Sequence, residues 1–347
     1  MRDSFTRNTN SSKIQRCKAP FYVQFEVTNK CNNKCFFCYT ETDQKTVKDE
    51  ELSTTEVVNI LDQLSYAGVF LINFNGGEPL IREDFFYIAE HAFNNGLMLH
   101  MNTNGTLINK KIAKNIKKYF RSICTSVLAA SRQLHDYMSG RIGAWDDVVS
   151  GIKILCKTGV DVEVNVCVTK LNLKEVYNIA KLVDSLGVYE FCVTRYVLND
   201  KTNIKYLLDK EDTMYLLDQM ALIESRFNFK SVDLPGPIPF CELAEYRNKV
   251  KQWNVPCQIG YGLCRINPFG VVTPCPITNN HIGDLRKNTF DEIWQSQLWD
   301  KYTICEHLPI TCRTCSDLPD CRGGCVAYDL QIAKSIGIPD TYKWSKL

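Results

Sequence analysis

The sequence predicts an α/β protein: a parallel sheet of six strand-helix units shaped as a partial TIM-like (β/α)6 barrel, with a smaller cysteine-rich unit after it. Three observations carry that expectation. Short apolar runs alternate with amphipathic helical patterns over residues 21–230, which is how a parallel sheet with right-handed crossovers reads. The segment Pro235-Gly236-Pro237-Ile238-Pro239 then interrupts the alternation, because it can continue neither a helix nor a central strand. Eight of the 17 cysteines lie beyond residue 255, and a chain of 347 residues has room for a second unit. The expected division is a leader at 1–20, the barrel at 21–230, a linker at 231–255 and the cysteine-rich unit at 256–347.

Composition narrows the function. Hydrophobic residues make up 45% of the chain, enough for a core, and a net charge of +2 offers no basic face to nucleic acid. No apolar run approaches the ~18 residues of a membrane span, and residues 1–15 lack the apolar stretch of a signal peptide. A cytoplasmic protein without nucleic-acid or membrane partners is expected. In that reducing compartment an odd cysteine count argues against a disulfide framework and for metal or cluster ligation.

The elements follow in order. A polar leader, whose Cys17 reads as structural, runs into a first strand at 21–27. Residues 41–51 are charged and read as exposed loop. Ser53-Thr54-Thr55-Glu56 looks like a capping box, and Val57, Ile60, Leu61 and Leu64 recur at helical spacing. The second strand, 69–75, ends in Gly76-Gly77-Glu78-Pro79. A helix at 85–93 leads to a third strand, 97–102, ending in Thr103-Asn104-Gly105-Thr106. Helix 108–118, strand 122–127, helix 148–157, strand 160–168 and helix 173–186 continue the pattern to a sixth strand, 190–194, which ends at Arg195. A polar stretch at 200–205 and a helix at 211–227 complete the barrel. Each polar motif sits at the C-terminal end of a strand, where α/β sheets and barrels place their ligands. Cys124, Cys156, Cys167 and Cys192 fall inside these elements and read as buried small residues.

The chain is organised around the loop after the first strand, where Cys31, Cys35 and Cys38 are spaced C-x3-C-x2-C. Three thiolates are one too few for a tetrahedral structural zinc site or for all four irons of a cubane. A partial zinc knuckle, a redox thiol group and buried small residues stand as alternatives. With Tyr39 following the last cysteine, the spacing resembles the signature of radical S-adenosylmethionine (SAM) enzymes. The resemblance implies that Cys31, Cys35 and Cys38 bind a [4Fe-4S] cluster whose fourth iron is chelated by the amino and carboxylate groups of SAM. It also implies a SAM amino-group contact at Gly76, Gly77 and Glu78, a third-strand motif at Thr103 and Asn104, and a SAM-ribose contact at Ser126. Arg195 stands where relatives carry an arginine facing the SAM carboxylate, a task suited to a bidentate guanidinium. Leu128 replaces the aspartate usual after the fourth strand. The following His135-Asp136 pair reads equally as a site pair and as a surface helix start.

Beyond the break, Cys257-x12-Gly270-x4-Cys275 and Cys312-x2-Cys315-x5-Cys321-x3-Cys325 resemble the SPASM domain, an extension carrying auxiliary iron-sulfur clusters. Ile282-Gly283-Asp284-Leu285 and Phe290-Asp291-Glu292-Ile293-Trp294 between them match its usual pattern. Carried over, one auxiliary cluster takes Cys257, Cys264, Cys275 and Cys325. A second takes Cys312, Cys315 and Cys321, with Asp329, Asp340 or Cys305 as candidate fourth ligand, an iron open to substrate, or no cluster at all. One or two auxiliary [4Fe-4S] clusters are therefore expected, with a pair of structural zinc sites as the alternative.

The resemblance implies reductive cleavage of SAM to a 5′-deoxyadenosyl radical that abstracts hydrogen from a substrate held away from water. The expected substrate is a peptide or protein, matured by crosslinking or side-chain oxidation. Flavodoxin or ferredoxin would serve as electron donor. With 16 residues ahead of Cys17, a leader-peptide binder is expected to be either a separate protein or unnecessary. Competing expectations are a haem- or quinone-cofactor-pathway enzyme on a small-molecule precursor, a peptide epimerase using the Cys241 thiol as hydrogen donor, and a non-catalytic iron-sulfur or zinc protein.

Overall fold

Six strands, β1 (Tyr22–Thr28), β2 (Leu71–Gly76), β3 (Met98–Thr103), β4 (Ser122–Ser126), β5 (Asp161–Val168) and β6 (Glu190–Arg195), pair in parallel and in sequence order. β1 and β6 do not pair with each other, so the barrel is open, as a partial (β/α)6 barrel should be. The structure is a computed structural model, and it describes residues 16–40, 50–197, 203–278, 280–303, 308, 312 and 314–325. The expectations for residues 1–15, for most of the charged loop at 41–51, and for Cys305, Asp329 and Asp340 lie outside those residues.

The helices form where the sequence supplies both a stripe and a cap. α1 (Thr54–Ala67) starts at the expected capping box, Ser53 with Glu56, and stops at Gly68, whose φ of 89° a side chain would resist. Its buried face is Val57, Ile60, Leu61 and Leu64. α2 (Phe85–Asn94), α3 (Lys110–Tyr119), α5 (Ala144–Thr158), α6 (Val176–Ser185) and α7 (Lys210–Arg226) match the remaining helical patterns. α4 (Arg132–Ser139), between β4 and α5, was signalled only by the reading of His135-Asp136 as a helix start; eight residues give too little periodicity to read.

Pleating sorts the strand side chains onto two faces. In β5 burial alternates without exception: Val162, Val164, Val166 and Val168 are buried against the helices, while Asp161, Glu163, Asn165 and Cys167 face the barrel interior. On the outer face Phe25 of β1 lies opposite Phe74 of β2, and the Phe74 ring meets Phe85 of α2 edge-on at 5.6 Å. Burying each such ring is worth about 1.5–3 kcal/mol. The core therefore sits between sheet and helices. The interior, which TIM barrels fill with branched aliphatics, is here polar.

The C-terminal unit extends the same sheet. β7 (Val232–Asp233) adds to β6, and β8 (Leu263–Ile266) runs parallel to β1, placing Cys264 opposite Val23 and Arg265 opposite Gln24. β9 (Val271–Thr273) and β10 (Gly283–Asp284) follow antiparallel. The stretch read as linker thus holds a strand and a helix, α8 (Arg247–Trp253). Strands of two to four residues carry no period that a sequence could show. α9 (Phe290–Gln295) docks on α1, where the Phe290 amide donates to Gln63 Oε1 at 2.8 Å and Arg286 Nε to Glu56 Oε1 at 2.8 Å. A Cβ on Gly283 would lie 2.5 Å from Ile293 Cγ1, which explains the glycine in that motif.

Candidate active site

The loop after β1 is shaped by backbone bonds to its neighbours. The Gly77 amide donates to Thr28 O and the Glu78 amide to Lys30 O, both at 2.8 Å, and the Lys34 amide donates to Ser139 O of α4 at 2.8 Å. No side chain fits at Gly77, where a Cβ would stand 2.1 Å from Lys30 O. The loop closes on itself through the Cys38 amide, which donates to Cys35 O at 3.1 Å.

Cys31, Cys35 and Cys38 come together in that loop and are half-buried. Burial, followed by the Cys38 and Cys31 sulfurs and then Cys167, pushes the Cys35 thiol well up. Burial chiefly, with Glu78 and Cys38 behind it, raises Cys31. Two N–H groups are aimed at the Cys31 sulfur, the Asn33 amide at 3.4 Å and Asn104 Nδ2 at 3.8 Å. Thiols in this setting stay protonated unless a cation takes the charge, and amide donors to sulfur are the usual tuning of a thiolate-held cluster. Cys167 lies beside them on the interior face of β5, where burial and Cys38 push its thiol up to about 12. The sequence reading as a buried filler missed this; its alternation with the β5 valines was the available signal.

Glu78 is fully buried and turned toward the loop after β3. Its carboxylate accepts from Thr103 Oγ1 at 2.8 Å, the Asn104 amide at 2.7 Å and the Leu80 amide at 3.2 Å. Burial outweighs these donors and pushes its pKa up to about 7. Asn104 Nδ2 goes on to Asn32 Oδ1 at 2.7 Å, and Asn32 Nδ2 to Thr106 Oγ1 at 2.8 Å. The motifs after β2 and β3 thus form one network with the cysteine loop. Ser126 ends β4 on its interior face, opposite Asn165.

Arg195 is buried, on the pleat face of Val193 rather than that of the inward Thr194, and its Nη2 donates to Pro237 O at 3.0 Å. His135 is 2% exposed: its Nδ1 accepts from the Leu128 amide at 3.2 Å, and burial lowers its pKa to about 4. Asp136 accepts from the Gly143 and Trp145 amides at 2.7 and 2.9 Å, at the start of α5. The pair is a structural brace beneath the loop, neither a surface helix start nor an open site. Cys241 is exposed on the turn Phe240–Glu242.

The C-terminal thiols divide. Cys275 and Cys325 lie close enough for their charges to interact; burial first, then Cys325, pushes Cys275 up to about 11, and its sulfur accepts from the Ile277 amide at 3.4 Å. Cys321 and Cys315 interact in the same way, and the Cys321 sulfur accepts from the Phe240 amide at 3.4 Å. The Cys315 amide donates to Cys312 O at 3.1 Å. Cys257 is tied in by Arg322, whose Nη1 donates to Cys257 O at 3.0 Å. Cys264 is fully buried in the apolar core of β8, and burial raises its thiol. Among the described residues no three of His, Cys, Asp and Glu converge on a point one ion could fill. A cubane, whose thiolates stand at its corners, takes a wider set.

The profile of the radical SAM superfamily matches residues 25–183, and that of the SPASM iron-sulfur cluster-binding domain matches residues 257–316. The chain belongs to the radical SAM superfamily. It is an enzyme of that superfamily with a C-terminal SPASM domain. Similar relatives include an AdoMet-dependent heme synthase of Methanosarcina barkeri, 26% identical over 89% of this chain and 92% of that one. A mycofactocin maturase, MftC, of Mycolicibacterium smegmatis is 25% identical over 89% and 79%. Among solved structures, SuiB of Streptococcus suis bound to S-adenosylmethionine superposes with a TM-score of 0.73 at 18% identity, covering 90% of this chain and 75% of that one, a likeness of fold. The cofactors of this radical SAM chain are a SAM-binding [4Fe-4S] cluster and one or two auxiliary clusters in the SPASM domain, and the half-buried N-terminal triad with N–H donors to sulfur fits the first of them. Among the described residues no helix is long and apolar enough to cross a membrane.

Proposed function

We propose that this radical SAM enzyme matures a peptide or protein, abstracting hydrogen from a segment held in the barrel interior. When bound, the cluster and SAM supply a 5′-deoxyadenosyl radical by reductive cleavage, with a flavodoxin or ferredoxin as electron source. The chain's own residues set up the rest. Cys31, Cys35 and Cys38 hold the cluster at the C-terminal ends of the strands, Gly76, Gly77, Thr103, Asn104 and Ser126 surround the SAM position, and Glu78 locks two of these loops together. Cys257, Cys264, Cys275 and Cys325 serve one auxiliary cluster and Cys312, Cys315 and Cys321 a second.

The observation that carries the peptide reading is the charge of the interior wall formed by β5, β6 and β7. Glu163, Glu190 and Asp233 gather there, and burial first, then Glu163, Asp233 and Asp161, raises the Glu190 carboxyl against the weaker pull of Lys230. A tetrapyrrole brings carboxylate arms that such a wall repels, whereas a peptide's amides and cationic side chains suit it. The haem-pathway reading rests on the AdoMet-dependent heme synthases among the relatives. The test is anaerobic SAM turnover by the reconstituted protein with a short-peptide library or with Fe-coproporphyrin III. The peptide reading expects 5′-deoxyadenosine formation to rise with peptides alone; a rise with the porphyrin alone overturns it.

A further inference from the structure

The interior wall opposite those carboxylates, made by β8, β1 and β2, contains a set of buried polar groups that the fold leaves unsatisfied. Gln24 and Glu26 alternate with the outward Val23, Phe25 and Val27, and Asn73 and Asn75 alternate with Ile72 and Phe74, so all four face the interior. Glu26, Asn73 and Asn75 are 2%, 1% and 3% exposed. Arg265 reaches them from β8, paired with Glu26 through its Nη2. No partner meets Gln24 Oε1, Glu26 Oε1, Asn73 Oδ1, either end of the Asn75 carboxamide, or Arg265 Nε.

The orientation of two of these groups is fixed by Tyr22, which lies on the same interior face at the start of β1. Asn73 Nδ2 donates to the Tyr22 hydroxyl at 2.6 Å and Gln24 Nε2 lies 3.5 Å from the same oxygen, which directs both carbonyl oxygens away from it. Orphaned polar atoms are rare in folded proteins because each costs stability. Here they fall on one face of three adjacent strands. Buried groups so arranged, unsatisfied by the fold itself, are the ones a ligand completes.

We propose that Gln24, Glu26, Asn73, Asn75 and Arg265 form a wall that binds a neutral amide of the substrate, either peptide backbone or carboxamide. This deepens the peptide reading and rests on it. The chemistry follows from the atoms. Glu26 and Arg265 cancel in charge, so the wall selects no net charge. It offers acceptors from all four oxygen-bearing side chains and donors from Asn75 and Arg265, and a primary carboxamide, or the N–H and C=O of one extended peptide residue, donates and accepts along one edge. Asn75 presents the same edge and pairs with it in two parallel hydrogen bonds. Arg265 comes from the C-terminal unit, so the wall is complete only when β8 docks on β1.

Saturation-transfer NMR on the anaerobically reconstituted full-length protein with SAM tests this, with the diamide N-acetylglycine methylamide and coproporphyrin III as probes. The diamide signal is expected in the wild type. In Asn75→Leu it should weaken roughly tenfold, the equivalent of about one or two hydrogen bonds, and Asn73→Leu should weaken it as well. Thr213→Val, which removes an unsatisfied hydroxyl on α7 outside the wall, should leave it unchanged. Asn75→Leu should melt no lower than the wild type, because both ends of its carboxamide are orphaned, whereas Asn73→Leu also loses the bond to Tyr22 and should melt somewhat lower. Diamide binding that is equal in wild type and both leucine variants overturns the wall and leaves the peptide reading intact. Porphyrin binding that Asn75→Leu abolishes overturns the amide assignment and the peptide reading together. No diamide signal at all means that the wall holds water only.

Discussion

The Glu78 carboxylate accepts a hydrogen bond from the Thr103 hydroxyl at 2.8 Å, joining the loop after β2 to the loop after β3. Because Glu78 also takes the Asn104 amide, and Asn104 reaches Cys31 and Asn32, one buried acid sets the relative position of three loops at the mouth of the barrel.

That acid should make stability depend on pH. Burial raises the Glu78 pKa to about 7 in the folded chain, above its ordinary 4.5, so the folded state binds the proton more tightly than the unfolded one. The contribution is full below about pH 4.5 and is lost as pH rises through about 7, amounting to on the order of 3 kcal/mol. Glu78→Gln should flatten the pH dependence of thermal unfolding in that window. An unchanged slope would place the titration elsewhere.

Gly77 is the position where the cysteine loop and the loop after β2 come closest. A methyl group there would stand 2.1 Å from Lys30 O, a clash with backbone that cannot swing away. Gly77→Ala should therefore destabilise the chain by about 1–3 kcal/mol, the usual range for overpacking, and depress SAM cleavage. Denaturant melts and a 5′-deoxyadenosine assay check both effects; a variant with wild-type stability would show that the loops separate easily.

The ion pair between Glu26 and Arg265 joins the barrel to the first strand of the C-terminal unit. Burial lifts the Glu26 carboxyl more than Arg265 lowers it, while Glu26 more than offsets the burial acting against the charge of Arg265. The two shifts pull opposite ways, and the charged pair is the consistent state because a guanidinium does not give up its proton. Glu26→Leu alone should cost about 3–5 kcal/mol, since it strands a buried cation, whereas Glu26→Leu with Arg265→Met should recover most of that loss. A double-mutant cycle on unfolding free energy measures it, and additive losses would mean that the pair is not coupled.

Much of this arrangement was legible in the chain. Strands such as β5 and helices such as α1 announce themselves because burial on one face imposes a period, and Cys31, Cys35 and Cys38 stand close because they share one loop. What the sequence hides is non-local. β8 pairs with β1 across more than half the chain, and four residues of strand cannot advertise that partner. The Gly76-Gly77-Glu78 motif ends β2, as its position after an apolar run suggested, and the bonds of its acid to the loop after β3 had no signal in the sequence. The polar interior was visible as Asn73 and Asn75 alternating with Ile72 and Phe74, a pattern at odds with a parallel strand buried on both faces.

The central claim is that three thiolates in the loop after β1 hold a cluster on which SAM is split, while the C-terminal thiols hold others. The direct measurement is iron content with 5′-deoxyadenosine yield, under anaerobic reduction, for the wild type, Cys35→Ala and Cys315→Ala. About twelve irons per chain correspond to three cubanes and about eight to two. The account predicts that Cys35→Ala loses about four irons and all SAM cleavage, while Cys315→Ala keeps part of the cleavage. Full cleavage by Cys35→Ala, or zinc in place of iron in protein prepared without oxygen, would contradict it.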